Sequence, residues 1–90
     1  MNQFQHIRSQ EFVTLENKLP AEIRRAVAKQ FQLLQTNQSH PSLRFKKVLG
    51  RWSLRITHNY RALGYRHENT ITWYWVGTHA EYERQISKPL

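Results

Sequence analysis

Apolar positions along the chain change period near residue 40. From Phe12 to Leu34 they recur every three or four residues, the spacing of one face of a helix. Ser9 can cap a first helix over about 9–18, with Glu11 in its first turn and Phe12, Leu15 and Leu19 on one side. Pro20 opens a second over about 20–36, where its missing N–H costs nothing. Ile23, Ala26, Val27, Phe31 and Leu34 form its apolar stripe, with Arg24, Arg25 and Lys29 opposite. The polar run Asn37 to Pro41 ends it near Thr36. Two helices so close in sequence predict a hairpin, with Ile23, Val27, Phe31 and Leu34 buried against the next layer.

From Leu43 onward the period is two, in β-branched and aromatic runs separated by short polar breaks. Strands are predicted over about 43–48, 52–57, 60–66 and 70–76, with turns at His58-Asn59 and Glu68-Asn69, where Asn tolerates a left-handed backbone. Trp52, Leu54 and Ile56 point to one face, and Ser53, Arg55 and Thr57 to the other. The last run is apolar on both faces, as expected of a central strand, and Gly64 predicts a close approach by a neighbour. Residues 3–8 alternate weakly and predict an added edge strand. The fold class is α+β: an N-terminal helical hairpin packed on a small antiparallel meander, one domain over residues 1–90.

Charge sharpens the picture. Fourteen Lys and Arg stand against six Glu and no Asp, a formal net charge of +8. Ten of those cations lie between Glu22 and Glu68, a span with no acid. That asymmetry predicts a polyanionic partner; the plain alternative is solvated basic surface. With no cysteine, disulfides and thiolate metal sites are excluded. The five histidines show no ligand spacing, so no metal and no small-molecule cofactor is expected. No apolar stretch approaches a membrane span, and the first residues lack a secretory pattern, so a soluble, cytoplasmic protein is expected.

His40-Pro41-Ser42-Leu43-Arg44-Phe45-Lys46-Lys47, then Gly50, Trp52-Ser53-x-Arg55-Ile56, Tyr60-Arg61-Ala62-Leu63 and Gly77-Thr78-His79-Ala80-Glu81-Tyr82, resembles the RelE/ParE superfamily of bacterial toxins. The likeness is greatest to the branch that includes RelE, YoeB, YafQ and HigB. It implies a RelE-like fold and the toxin of a type II toxin–antitoxin pair. The partners implied are a cognate antitoxin, whose acidic or amphipathic segment wraps the toxin, and the ribosome with its mRNA. The RelE side cuts mRNA in the ribosomal A site without metal; the ParE side inhibits DNA gyrase. An inactive member that only binds its antitoxin is a third possibility.

Cleavage of RNA needs a base for the 2′-OH, cations for the phosphorus oxygens and an acid for the leaving 5′-oxygen. By the resemblance, Arg61 matches the phosphate-stabilising arginine, His79 the histidine or arginine after the last strand, and Tyr82 the C-terminal aromatic or hydroxyl. Guanidinium suits phosphate because its planar fork makes two hydrogen bonds, and imidazole exchanges protons near neutrality. Lys46 and Lys47 are candidates for gripping phosphate or acting as base, and Arg44, Arg51 and Arg55 extend an RNA-binding track. Each has a plainer alternative: solvated cations for the lysines and arginines, capping or packing for His79, core closure for Tyr82. The aromatic residues of the strands are first of all core. YoeB-like members carry a carboxylate base before the Trp-Ser strand; here that segment holds only His, Ser, Arg and Lys, so the base falls to Lys46, Lys47 or His79.

Overall fold

The computed structural model describes residues 3–89. Strand β1 (Gln5–Arg8) leads into helix α1 (Gln10–Glu16) and helix α2 (Ala21–Thr36). A 3-10 turn (Pro41–Leu43) precedes β2 (Lys46–Val48), β3 (Arg51–Thr57), β4 (Tyr60–His67) and β5 (Thr70–Thr78), and helix α3 (His79–Ile86) closes the chain. Ser9 caps α1 by accepting from Phe12 N at 3.2 Å, as its position predicts.

The apolar stripe of the helices meets one face of the sheet. Phe12, Val27, Phe31 and Leu34 are buried with Leu54, Ile56, Ala62, Ile71, Trp73 and Val76. Phe31 stands edge-on to Phe12 and to Trp73, with centroids 5.5 and 5.6 Å apart. Ile23 is only partly buried: it lies in the first turn of α2, at the margin of this core.

The sheet order is β1-β5-β4-β3-β2. The β2–β5 meander is antiparallel, but β1 runs parallel to β5, from Gln5 opposite Thr70 to Arg8 opposite Trp73. The sheet is therefore mixed rather than purely antiparallel, because the first strand docks on the far edge from β2 and the helices make the crossover. Gly64 has no room for a side chain: a Cβ there would lie 2.8 Å from Ile71 Cγ2. Leu49-Gly50 and Glu68 take the left-handed turn conformation, whereas His58-Asn59 turns without it.

The last strand carries apolar residues on both faces for a reason that alternation alone does not reveal. Gly64 pairs with Trp73 and Leu63 with Trp75, so Tyr74 is an extra residue in β5. The bulge sends Trp73 into the helix-covered core and Trp75 to the opposite face. There Leu63, Trp75 and Tyr82 form a second buried cluster, flanked by Tyr74 and Ile86. Helix α3 supplies its cover, an element absent from the predicted architecture. Its start is a capping box: Thr78 Oγ1 accepts from Glu81 N at 3.3 Å, and Glu81 Oε1 accepts from Thr78 N at 3.0 Å. Among the described residues no helix is long and apolar enough to cross a membrane.

Candidate functional site

Cross-strand register places Arg55 opposite Arg61, and Arg61 opposite Gly77. Side chains directly opposite share a face, here the face away from α1 and α2. Two facing guanidinium groups repel, so something must hold them. Arg61 Nη1 donates to the carbonyls of Thr57 at 2.6 Å, His58 at 3.1 Å and Tyr60 at 3.0 Å, all in the β3–β4 turn. Nε and Nη2 of Arg61 have no partner among the described residues. Partial burial, then the Arg55 charge, lowers the Arg61 guanidinium from its ordinary value; Arg44 adds to that and Tyr82 opposes it. A guanidinium starts so high that it stays protonated. Burial is the larger cause; the neighbouring charges of Arg55 and Arg44 add to it, and an anion beside Arg61 would offset them.

The same turn holds His79. The His79 backbone N–H, at the first position of α3, donates to Asn59 O at 2.7 Å. Its ring lies 5.6 Å from that of Tyr82, and Nδ1 is 3.9 Å from Glu83 Oε1. Tyr82 is buried in the second core and is also within electrostatic reach of Arg61. Arg61, Arg55, His79 and Tyr82 thus gather at the turn end of the sheet, because β5 runs back beside β4 and ends level with its start. Arg44, exposed and left-handed at φ 45°, ends the 3-10 turn and belongs to the same electrostatic cluster.

The lysines divide. Lys46 pairs with Ser53 and shares the Arg55–Arg61 face, one row further along; Lys47 pairs with Trp52 and belongs to the opposite face. Three strand spacings, ~14 Å, separate the β2 edge from β5, so the lysines do not join His79. Arg51 is a correction. It is buried, and its fork is spent within the protein: Nε donates to Tyr74 Oη at 3.0 Å, Nη1 to Ile86 O at 3.0 Å and Nη2 to Lys88 O. It anchors the end of α3 and is not presented to RNA.

Three contributors escaped the sequence reading. The turn carbonyls that orient Arg61 leave no mark in side-chain identity. Glu83 could have been found from its i, i+4 spacing to His79, and α3 itself from Thr78-x-x-Glu81. No group of three or more His, Asp or Glu among the described residues could hold a metal ion.

Solved structures share the fold. The chain is similar over 88% of its length to a chain of a RelB-RelE antitoxin–toxin complex from Methanococcus jannaschii, covering 96% of that chain with TM-score 0.69 and 19% identity. It is similar over 84% of its length to a chain of the toxin–antitoxin complex RelBE2 from Mycobacterium tuberculosis, covering 98% of that chain with TM-score 0.63 and 20% identity. YafQ from E. coli matches over 89% of this chain and 98% of its own, with TM-score 0.62 and 14% identity. No curated protein matches the sequence. The model of the ParE-like toxin domain matches residues 21–84, from the start of α2 into α3. The chain belongs to the ParE-like toxin domain family, within the RelE/ParE superfamily.

Proposed function

We propose that this chain is the toxin of a type II toxin–antitoxin pair and acts as a metal-independent, ribosome-dependent endoribonuclease on mRNA. The observation that carries the reading is Arg61. Its Nη1 is fixed by three turn carbonyls while Nε and Nη2 are left without a partner among the described residues, beside a second guanidinium and a histidine. A fork anchored at one nitrogen is pre-oriented to give its remaining donors to phosphoryl oxygens.

In the reaction the 2′-oxygen of the nucleotide before the scissile bond attacks phosphorus. The P–O2′ bond forms, the P–O5′ bond breaks, one proton leaves the 2′-OH and one is delivered to the 5′-oxygen. Arg61, with Arg55 beside it, neutralises the charge gathering on the phosphoryl oxygens. His79 and its ring neighbour Tyr82 are the proton-bearing groups, and Lys46 grips the backbone further along the same face. Lys47 and Arg51 have no part in it. The partner that silences the site is a cognate antitoxin whose acidic segment suits the acid-free stretch between Glu22 and Glu68.

Primer extension on translating ribosomes tests the reading. Arg61→Ala should abolish cleavage, and His79→Gln should lower it by roughly 10²–10⁴-fold. Both variants cutting as well as the parent would sink the mechanism. The match to a ParE-like domain favours one second reading, inhibition of DNA gyrase without catalysis. A supercoiling assay with purified gyrase separates the two. A parent inactive in both assays, yet bound by its antitoxin, is an inactive family member.

A further inference from the structure

The face of the sheet that carries Arg55 and Arg61 also holds a nearly buried hydroxyl that the reading above leaves unused. Ser53, in the middle of β3, is 3% exposed. Register fixes its neighbours on that face. Lys46 and Leu63 lie directly opposite it on the flanking strands, Arg51 and Arg55 are two residues away along β3, and Arg61 is diagonal to it on β4. Leu63 is taken up by the second core and Arg51 by the end of α3. Two cations remain beside the hydroxyl, Lys46 across from it and Arg55 along the strand, and none of these neighbours is an acid. The Arg61 guanidinium is drawn the other way, toward the turn carbonyls. The Ser53 row is thus a separate place, one step along the same face.

Ser53 Oγ has no hydrogen-bond partner among the described residues. Of the described buried side-chain nitrogens and oxygens, only His6 Nε2 is both unpartnered and closed to solvent. Ser53 Oγ is therefore unpartnered but open, at the floor between Lys46 and Arg55. A hydroxyl so nearly enclosed and left without a partner costs stability, and alanine would fill the place without that cost. Lys46 and Arg55 bring only donors. What the row lacks is an acceptor, and between two cations the fitting acceptor is an oxyanion. We infer that Ser53 Oγ donates a hydrogen bond to a non-bridging oxygen of the RNA phosphate next to the one held by Arg61, with Lys46 and Arg55 neutralising its charge. Arg55 faces Arg61 across the strands, so it borders both phosphates. The inference rests on the RNA reading above and adds to it a substrate-contacting residue.

Fluorescence anisotropy with a short single-stranded RNA, 2′-O-methylated throughout so that it cannot be cut, tests the contact. Ser53→Ala removes the donor and no charge. It should weaken binding roughly tenfold while keeping the parent's salt slope, whereas Lys46→Gln should make the log–log slope shallower by about 0.7. The Tm of Ser53→Ala should equal or exceed the parent's, because the group removed had no partner. Ser53→Cys, close in size but a weak donor, should bind as Ser53→Ala does. Phosphorothioates placed singly along the RNA, one diastereomer at a time, locate the contact. At one position a single diastereomer should weaken the parent and leave Ser53→Ala unchanged, since sulfur is the poorer acceptor. Binding by Ser53→Ala equal to the parent's overturns the inference. So does weaker binding that comes with a Tm several degrees lower, the mark of a packing role, or a sulfur effect that is the same in both proteins at every position. A parent that fails to bind this RNA at low salt overturns it as well. Its failure differs visibly from that of the nuclease reading. If Ser53→Ala binds RNA as the parent does while Arg61→Ala abolishes cutting, only this contact falls. If the parent cuts nothing on ribosomes yet Ser53→Ala loses both the affinity and the sulfur effect, only the nuclease falls.

Discussion

His6 offers a test of the fold that is independent of the site. In β1 it stacks on Trp73, centroids 6.0 Å apart, and its Nδ1 accepts from Trp73 Nε1 at 3.0 Å. The ring must therefore be neutral with its proton on Nε2, which is buried without a partner among the described residues. Protonating Nδ1 would break the tryptophan hydrogen bond and bury a charge, so burial pushes the imidazole down from 6.5 to about 4. The sign follows from linkage. Above 6.5 both folded and unfolded chains hold His6 neutral and nothing is lost; as the pH falls from 6.5 toward 4 only the unfolded chain takes the proton, and stability drops. At about 1.4 kcal/mol per unit the full gap sets a ceiling of ~3 kcal/mol. The ring is only partly buried, and solvent screening brings the figure to about 1–2 kcal/mol. For a domain of this length, each kcal/mol lowers Tm by about 4–8 °C. Calorimetry of the parent and of His6→Gln, whose amide oxygen can still accept from Trp73, isolates the effect, since every other titrating group is common to both. From pH 7 to pH 5 the parent should lose several degrees more than the variant. Parallel loss in both would refute a neutral, buried His6 and with it the docking of β1 on β5.

Two further substitutions probe the two cores. Phe31→Ala empties the junction of Phe12 and Trp73 and should cost roughly 3–5 kcal/mol, read as a lower urea midpoint; a cost under about 1 kcal/mol would contradict its burial. Arg51→Met strips charge-assisted hydrogen bonds from the end of α3 and should cost about 2–3 kcal/mol, with Arg51→Lys failing to restore it because an ammonium cannot reproduce the fork. The salt slope of RNA binding should stay that of the parent in Arg51→Met, and a shallower slope would return Arg51 to the phosphate track.

The helical stripe was legible because it is local: Val27, Phe31 and Leu34 sit three and four residues apart, and any fold that keeps the helix must bury that side. Arg51 was not legible, because its environment is made by carbonyls 35 and 37 residues away in the chain. Among Arg51, Arg55 and Arg61, all in strands and all on the same face by alternation, composition offers no way to tell which becomes buried. The choice depends on where α3 ends, and α3 itself depends on the bulge at Tyr74, which turns Trp75 toward the face that needs covering. One extra residue in the last strand thus creates the second core, calls for the helix that fills it, and removes Arg51 from the surface. It also fixes the site. By returning along that face, α3 starts at His79, beside the turn whose carbonyls hold Arg61, and so brings that histidine there. The residues of the candidate site could be named from the motif, and the strand order carries His79 to the end of the sheet that bears Arg61, but the carbonyls that hold Arg61 belong to the turn and the cover over Trp75 to the bulge. A second-site change that removes the bulge should therefore harm cleavage through His79 while leaving the Arg61–carbonyl contacts in place.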